Sequence, residues 1–554
     1  MVLGTDASGK PLSGRWVTPP WNEESAEWIA LDQRLAVDHL ARSIDAVVRE
    51  LDLEAFAQRY AGVGKRAHRP DLLLKAVLFE ISQGRLSPAQ WARDVRELEP
   101  LRWLLFGLEP SRTCLYDFRD RVNSDLDNWQ QQLLAKAQAE GYTPAERGAI
   151  DGTFTAAYGS RHRLINAETL EKRWQQLEAE VAAEFVSPGQ ARASAPAAAE
   201  DRERQVTSGM TEQTLAAPGL ARTVAPTTIP SRPYWMATTP DGRHQQRAKY
   251  RQALQRMQEL QTRHHQSHKK RCKRQRRPVE RLLVSPTEPE AALGIDKLKT
   301  FRPLYNVQLF RDLDAPLVLG YEVFAAVTDH DLLIPVVEKT QQLTGRWPRT
   351  ILGDGIYASV LDLLWCQEKG ITLYAPLGKH DVPALRAKTD PRAPIPKSAF
   401  TWLPEQQSYR CPEGHVLQLA RQHRERRRQT QVLTVLQYRC APEHCRSCPR
   451  KSRCTPKPER GRTIKRTEHE DLVDALRQRM QEDVGKALYK LRKQTVELGF
   501  ADLKQHRGLQ RFRSYGRTRA RTQVGLLVLA TNGLALLQAR DRVACAASPY
   551  RETG

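Results

Sequence analysis

No stretch of this 554-residue chain reads as an apolar run long enough to cross a bilayer. The opening M-V-L-G-T-D-A-S-G-K has none of the apolar core of a secretory signal. Membrane-spanning and exported classes are therefore not expected, and a soluble cytoplasmic protein is. Cysteine is sparse, with nine residues in all. Cys114, Cys272, Cys366 and Cys545 are scattered and read as ordinary thiols of a reducing compartment, which excludes a disulfide scaffold. The other five crowd between 411 and 454 and need a separate account. Acidic side chains are in deficit: 64 Asp and Glu face 87 Lys and Arg, a net charge of +23. An imbalance of that size calls for a polyanionic partner, either nucleic acid or an anionic membrane surface.

What is present is enough for a core, with 40% hydrophobic residues, and the length suits several domains or one domain with large insertions. Residues 31–125 carry helical periodicity in D-H-L-A-R-S-I-D-A-V-V-R-E-L-D, R-P-D-L-L-L-K-A-V-L-F-E-I-S-Q-G and S-P-A-Q-W-A-R-D-V-R-E-L. They end on a segment with Arg112, Arg119 and Arg121 close together. These helices read either as a DNA-binding head or as a bundle packed on the main domain. A strand is expected at 147–158. Helix-forming segments flank a low-complexity linker, S-P-G-Q-A-R-A-S-A-P-A-A-A-E-D. A dense basic tract, R-H-H-Q-S-H-K-K-R-C-K-R-Q-R-R, comes next and suits phosphate contact without base specificity. Strands return at L-Y-N-V-Q-L-F-R-D and P-L-V-L-G-Y-E-V-F-A-A-V. After them come a helix ending at Gly345, the short strand T-I-L-G-D-G-I-Y, a helix V-L-D-L-L-W-C-Q-E-K-G and a strand I-T-L-Y-A-P-L. Mixed strands alternating with helices indicate an α/β sheet covered by helices.

Two acids end apolar runs in this pattern. Asp151 lies in R-G-A-I-D-G-T-F and Asp354 in T-I-L-G-D-G-I-Y. Glycine beside each lets a ligand approach the backbone closely, and the ends of neighbouring strands are where α/β sheets place their sites. Each Asp-Gly taken alone reads more readily as turn chemistry than as a site. Glu497 lies on a basic helix, Y-K-L-R-K-Q-T-V-E-L-G-F-A-D-L-K, where Lys490, Gln494, Glu497, Ala501 and Lys504 are expected along one face. By itself it reads as well as a surface ion-pair network. Three carboxylates supply the hard oxygen ligands that Mg²⁺ prefers, and no histidine accompanies them. Two such ions about 3.5–4 Å apart stabilise both the attacking and the leaving oxygen of a phosphodiester displacement.

These motifs resemble those of bacterial insertion-sequence transposases of the DDE type. The most specific is Tyr489-x2-Arg492-x4-Glu497-x6-Lys504, followed by R-G-L-Q-R-F-R-S-Y-G-R and Q-V-G-L-L-V-L-A-T-N-G-L. I-D-G-T-F, L-Y-N-V-Q, L-G-D-G-I-Y and the helical segment from D-H-L-A-R to F-R-D-R add to it. The similarity covers most of 31–158, 285–380 and 405–540 and fades in 165–285. At the second acid, Ile356 stands where similar proteins tend to have glycine. The resemblance implies an RNase H-like mixed sheet flanked by helices, with an all-α N-terminal domain and a small zinc-ribbon-like insertion. It implies Asp151, Asp354 and Glu497 as the triad that holds Mg²⁺ or Mn²⁺, and Tyr489, Arg492 and Lys504 as contacts to DNA near the scissile phosphate. The implied activity is cutting and joining of DNA at terminal inverted repeats and target DNA, by a homo-oligomer, as a dimer. A catalytically silent zinc-ribbon DNA-binding protein and a metal-dependent nuclease that only hydrolyses are the alternatives.

The domain organisation expected is a tail at 1–30, a helical domain at 31–125, and a catalytic core assembled from 145–164, 285–380 and 485–540. A helical, low-complexity and basic insertion occupies 165–284, a cysteine-bearing insertion 381–484, and a C-terminal tail 541–554. In that second insertion, Cys445-x2-Cys448 has zinc-knuckle spacing, and Cys411 and Cys454 complete a four-thiolate set for a structural Zn²⁺. Cys440, His415 and His444 are spare ligands. Downstream of Glu497, Arg507, Arg511, Arg513, Arg517, Arg519 and Arg521 alternate with Phe512 and Tyr515. Arginines suit phosphate and aromatics suit exposed bases, so this stretch is expected on DNA.

Overall fold

The computed structural model describes residues 15–60, 65–186, 232–269, 278–377, 393–426 and 432–547. The low-complexity linker and residues 270–277 of the basic tract, Cys272 among them, lie outside the described residues, as does the side chain of Cys545. The chain divides into two compact units, one formed by 1–158 with 291–554 and the other by 159–290.

The larger unit is built on a six-stranded mixed sheet. Strand β1, Arg147–Ala156, lies at its centre. It pairs antiparallel with β3, Phe301–Asp312, from Gly148↔Asp312 to Ala156↔Leu304. Its other edge pairs parallel with β5, Thr350–Leu352, which pairs parallel with β6, Thr372–Tyr374. Strands β2, Ala292–Ile295, and β4, Val318–Phe324, share the far edge of β3, both antiparallel to it. The unbroken burial of β3 from Pro303 to Phe310 follows from strands on both edges and cover on both faces. The helix Leu333–Thr344 returns the chain from β4 to β5 and closes on Gly345, whose φ of +76° ends it in the left-handed cap that glycine takes readily. The helix Val360–Glu368 joins β5 to β6. This is the α/β, RNase H-like arrangement expected, with a helical N-terminal region.

A long helix, Arg517–Ala547, packs through the middle of the N-terminal helices. It corrects one expectation. Residues 517–543 are long and apolar enough to cross a membrane by length and composition, although two-thirds of that stretch is buried in the fold. Val524 and Leu526 to Ala530 are fully buried within one hydrophobic core that also takes in Leu72 to Phe79, Trp91, Leu126 and Trp129. The apolar run is therefore spent on core. Asn532 fastens it to the sheet: its Oδ1 accepts from the Val318 N–H at 2.8 Å and its Nδ2 donates to the Val318 carbonyl at 2.7 Å. That amide stands in for a strand at an edge where the β3–β4 register shifts.

The helices of the N-terminal region, from Ala26–Arg34 to Leu126–Ala139, belong to this same core. Of the expected arginine cluster, Arg112 and Arg121 are exposed and Arg119 is buried. Arg119 is buried with Asp120 at 2.7 Å and lies over the Tyr116 ring, and Arg121 lies over Tyr60. The expected arginine cluster is in part packing material.

The smaller unit is a helical hairpin. Helices Ala167–Val186 and Pro240–Lys269 run antiparallel, as the pairs Arg243–Glu184, Arg247–Glu178 and Tyr250–Arg173 show by their opposed numbering. Leu170, Leu177, Val181, Ala253 and Met257 fill the seam. The cysteine-bearing insertion forms a second, five-stranded antiparallel sheet in the larger unit: β7 (Thr401–Leu403), β8 (Ser408–Arg410), β9 (Val416–Arg426), β10 (Val432–Cys440) and β11 (Thr463–Thr467), paired in that order.

One buried acid ties stability to pH. Glu80, on the helix Pro70–Ser82, is fully buried beside Asp94 and is held by Arg85 at 3.0 Å. Burial first, then the neighbouring Asp94 carboxyl, pushes its pKa up to about 8. The folded chain thus keeps a proton that the unfolded chain releases near pH 4.5. This contribution to stability is present in full below pH 4.5 and is lost as pH rises toward 8. Glu80→Gln is expected to raise Tm at pH 8 and to leave it nearly unchanged at pH 4.5; parallel Tm–pH curves for the two proteins would refute this.

Candidate active site

The register of β1 on β5 sets the height of the first two acids. The parallel pairing runs Arg147↔Thr350, Gly148↔Ile351, Ala149↔Leu352. Two residues beyond the last pair stand Asp151 on one strand and Asp354 on the other. Asp151 is not at a strand end, as its sequence context suggested: β1 continues to Ala156 because β3 still pairs with it through Asp151↔Leu309 and beyond. Asp354 leaves β5 and opens the short 3-10 turn Gly355–Tyr357, with its Oδ1 accepting from the Gly355 N–H at 2.5 Å. Ile356 packs at the margin of the core, and the turn remains tight without a second glycine.

Asp151 is half-buried; its Oδ1 accepts from the Gly152 N–H at 2.9 Å and forms an ion pair with Arg492 Nη2 at 3.2 Å. Burial raises its pKa, the Arg492 cation and the Gly152 N–H oppose that, and the charges of Asp329 and Asp354 add to it. Asp329, whose charge bears on Asp151, is an acid that the sequence did not single out. In V-T-D-H-D it reads as a turn or helix-start residue after β4.

Beneath the acids lies a polar floor inside the sheet. Asn306 and Gln308 are fully buried on β3. Tyr357 Oη donates to Gln308 Oε1 at 2.7 Å, and Gln308 Nε2 donates to Asn306 Oδ1 at 2.9 Å and to Asp329 Oδ1 at 2.6 Å. Asn306 Nδ2 donates to the same Asp329 oxygen at 2.7 Å. Burial and the nearby Asp329 and Asp151 charges drive the Tyr357 phenol far upward, so it remains a donor. Gly152 leaves the space that this floor fills: a Cβ there would fall 2.0 Å from Gln308 Nε2 and 2.4 Å from Asp329 Oδ1.

The third acid is carried by a helix that changes its winding. The helix Asp483–Arg492 passes into a π-helical turn, Lys493–Glu497, and resumes as Leu498–Gln505. The single face expected from Lys490 to Lys504 is therefore broken, because the wider turn shifts the phase of the helix beyond it. Tyr489 faces the acids: burial raises its phenol, Arg492 opposes this, and Asp354 and Asp151 contribute further upward. Val496 is fully buried and seats the turn on the sheet. In a π-turn the hydrogen bonds join residues five apart, so Glu497 stands one wide turn beyond Arg492. The Glu497 side chain itself is exposed, and no contact between described residues joins it to Asp151 or Asp354.

The basic residues expected on DNA divide into two sets. Lys504 Nζ donates to the Phe154 carbonyl at 3.1 Å, and burial, aided by Lys297, lowers its pKa to about 8. Arg507 pairs with Asp502 at 2.7 Å, and Arg511 donates to the Tyr158 carbonyl at 2.7 Å. The Arg513 side chain is exposed. Two other expectations are corrected. Phe512 is fully buried against Tyr305, since its ring completes the core, and is not open to bases. Arg521 is bound by Asp127 and Glu322, and Arg519 pairs with Asp120, so both knit the long helix to its neighbours. Tyr515 is half-buried edge-on to Tyr158.

In the second sheet, all five clustered cysteines line one small cavity with His415, His444 and Arg462. Cys440 ends β10, Cys445 lies on the helix Pro442–Ser447, and Cys454 ends Lys451–Cys454. The Arg462 N–H donates to Cys445 Sγ at 3.3 Å. Burial and then Cys445, with Cys411 and Cys454 behind it, push Cys440 up to about 12. His415 and His444 stack with ring centroids 4.1 Å apart. Among the described residues, no three His, Cys, Asp or Glu side chains stand grouped so as to hold a metal ion as they are placed.

Residues 29–121 match the model of a transposase domain (DUF772), and residues 410–536 match that of a transposase DDE domain. The second match takes in the cysteine insertion, Tyr489, Arg492, Glu497 and Lys504, and stops short of Asp151 and Asp354. No curated protein and no solved structure matches the chain.

Gly152 offers a direct check on the floor. Gly152→Ala is expected to force Gln308 and Asp329 aside at a cost of about 1–3 kcal/mol. A urea-unfolding midpoint equal to that of the parent would show that the floor yields without cost.

Proposed function

We propose that this chain, a member of an insertion-sequence DDE transposase family by its two transposase-domain matches, cuts DNA at the terminal inverted repeats of its element and joins the freed ends to target DNA. The observation that carries the reading is the parallel β1–β5 register, which sets Asp151 and Asp354 side by side under a helix that offers Arg492 and Tyr489. With Glu497 they form the acid set. Carboxylate oxygens suit a hard divalent cation; burial first, and then the charges of Asp329 and Asp354, raise Asp151, and such a cation opposes both. Bound Mg²⁺ or Mn²⁺ supplies activation of the attacking oxygen and charge neutralisation at the leaving one.

The chain's own residues do the rest. Arg492 is held against Asp151 and is placed to move onto a DNA phosphate, to which its planar fork binds in a bidentate manner. Tyr489 and Lys504 flank the same phosphate, with Arg507, Arg511 and Arg513 along the strand beyond it. In the first step water forms a bond to phosphorus, the bond to the 3′-oxygen breaks, and that oxygen leaves with a proton as a hydroxyl. In the second, this 3′-oxygen loses its proton and forms the new bond to a target phosphorus, the bond from that phosphorus to the target strand's own 3′-oxygen breaks, and that oxygen leaves with a proton as a hydroxyl. The Tyr357 phenol, fixed on Gln308, keeps the turn after Asp354 in place during both. Two copies of the chain, one for each element end, suit the reaction.

Asp151→Ala, Asp354→Ala and Glu497→Ala are each expected to lower strand joining more than about a hundredfold while binding of repeat DNA persists. The assay is formation of joined product on end-bearing DNA with Mg²⁺ or Mn²⁺. Near-parental joining by any of the three removes that residue from the acid set, and nicks without joined product mark a nuclease.

In the second sheet, Cys411, Cys445, Cys448 and Cys454 are proposed to hold a structural Zn²⁺. Soft thiolates fit that ion, and the Arg462 backbone N–H donates to Cys445 Sγ; burial raises the Cys454 thiol and the Arg462 guanidinium opposes that rise. Cys440 is a fifth thiol on the same cavity. Elemental analysis is expected to find about one zinc per chain, lost in Cys445→Ser together with several degrees of Tm. A zinc-free parent of unchanged Tm would dispose of the site.

A further inference from the structure

We infer that the tip of the β2–β3 hairpin is a wedge for duplex DNA: Leu298 enters a base step from the minor groove, and Lys297 and Lys299 hold the phosphates on either side. The inference rests on the reading of the chain as one that binds element-end DNA.

Exposed apolar side chains gather at this tip. Leu298 is 80% exposed, Ile295 65% and Phe301 47%. Ile295 and Phe301 are partners in the antiparallel register, so their side chains share one face at the base of the tip. A few residues on, Leu304 and Tyr305 are buried, so the same strand passes from core to open apolar surface. Such a surface marks a place where something docks.

The tip is built to hold its shape. The Asp296 N–H donates to the Thr300 carbonyl and the Lys299 N–H to the Asp296 carbonyl, both at 3.0 Å. Asp296 Oδ1 accepts from the Thr300 N–H at 2.9 Å, and its Oδ2 pairs with Arg302 at 3.0 Å. Lys299 takes the left-handed φ of +56° that closes a three-residue hairpin loop. Leu298 is thus presented at the apex of a loop that needs little further ordering on binding.

The charge indicates the partner. Asp296 is engaged by Arg302, whereas Lys297 and Lys299 are exposed and pair with no carboxylate among the described residues. A cation on each side of a single apolar tooth fits a base step and its phosphates. A second copy of this chain, itself carrying +23, would be repelled by them. The position agrees. The Pro303 carbonyl accepts from the Ala157 N–H, Lys504 reaches the Phe154 carbonyl and Arg511 the Tyr158 carbonyl, so the hairpin continues the end of the sheet on which these two cations stand. The charge of Lys297 also bears on Lys504. From Leu309, opposite Asp151, β3 runs to Phe301 over roughly 27 Å, or about eight base pairs of duplex.

The test uses the full chain and duplexes that carry an element end and one 2-aminopurine each, a base whose fluorescence rises when it is unstacked. The parent is expected to raise it at a step about eight base pairs from the cut, and Leu298→Ala to lose that rise with Tm unchanged and binding retained. Lys297→Ala and Lys299→Ala are each expected to lower the slope of log Kd against log salt by about one. Binding by the parent without an unstacked step, or a rise retained in Leu298→Ala, overturns the wedge and leaves the DNA reading standing. Loss of self-association in Leu298→Ala with the rise retained assigns the patch to a contact between copies and overturns it as well. No binding of the duplexes by the parent overturns the wedge together with the DNA reading.

Discussion

The constraint on which this site depends is a parallel pairing only three residues long. β1 and β5 meet at Arg147–Ala149 and Thr350–Leu352, and each continues two residues to an aspartate. Side chains in a strand alternate between faces, so a slip of one residue in either strand would turn one carboxylate away from the other. The pairing is short, yet it is not weak, because what fixes β1 is its other edge. Nine residues of β1 are locked to β3, and β3 is buried along most of its length. The helix Leu333–Thr344 then delivers β5 to its place. The acids are positioned by strands whose own stability has little to do with them.

Like charges held this close are unfavourable, and the fold answers with polar material that is itself costly to bury. Asn306 and Gln308 have no exposure, so their amides must find partners inside the sheet. They find them in Tyr357 and Asp329. The network is closed on itself and leaves Asp151 to face Arg492. This explains the economy of Gly152: a side chain there would collide with Gln308 and Asp329.

How much of this was legible depended on whether the signal was local. Asp151 and Asp354 stood out because apolar runs precede them and glycine comes after, and the helix bearing Tyr489 and Arg492 stood out by its basic pattern. Asp329 did not, because its partners lie 21 and 23 residues back on β3 and only strand pairing brings them together. The π-turn was hidden for a different reason: an extra residue in a helical turn leaves the composition of the helix unchanged, and the assumed period then carries every later residue to the wrong face. Arg521 and Phe512 were misjudged as DNA contacts since a basic, aromatic stretch looks alike whether it faces phosphate or Asp127, Glu322 and Tyr305.

The same ambiguity governs the longest apolar segment, Arg517–Ala547. Length and hydropathy alone admit a membrane. Its polar residues decide otherwise. Asn532 offers its amide to both backbone groups of Val318, and Arg521 spends its guanidinium on two buried-side carboxylates. In hydrocarbon those groups would face lipid unpaired at a cost of several kcal/mol each. Inside this fold they are matched one to one by β4 and by the helix Leu126–Ala139, and through β4 they bear on β3, where Asn306 and Gln308 carry the floor of the site. The apolar helix is thus the far support of the polar centre.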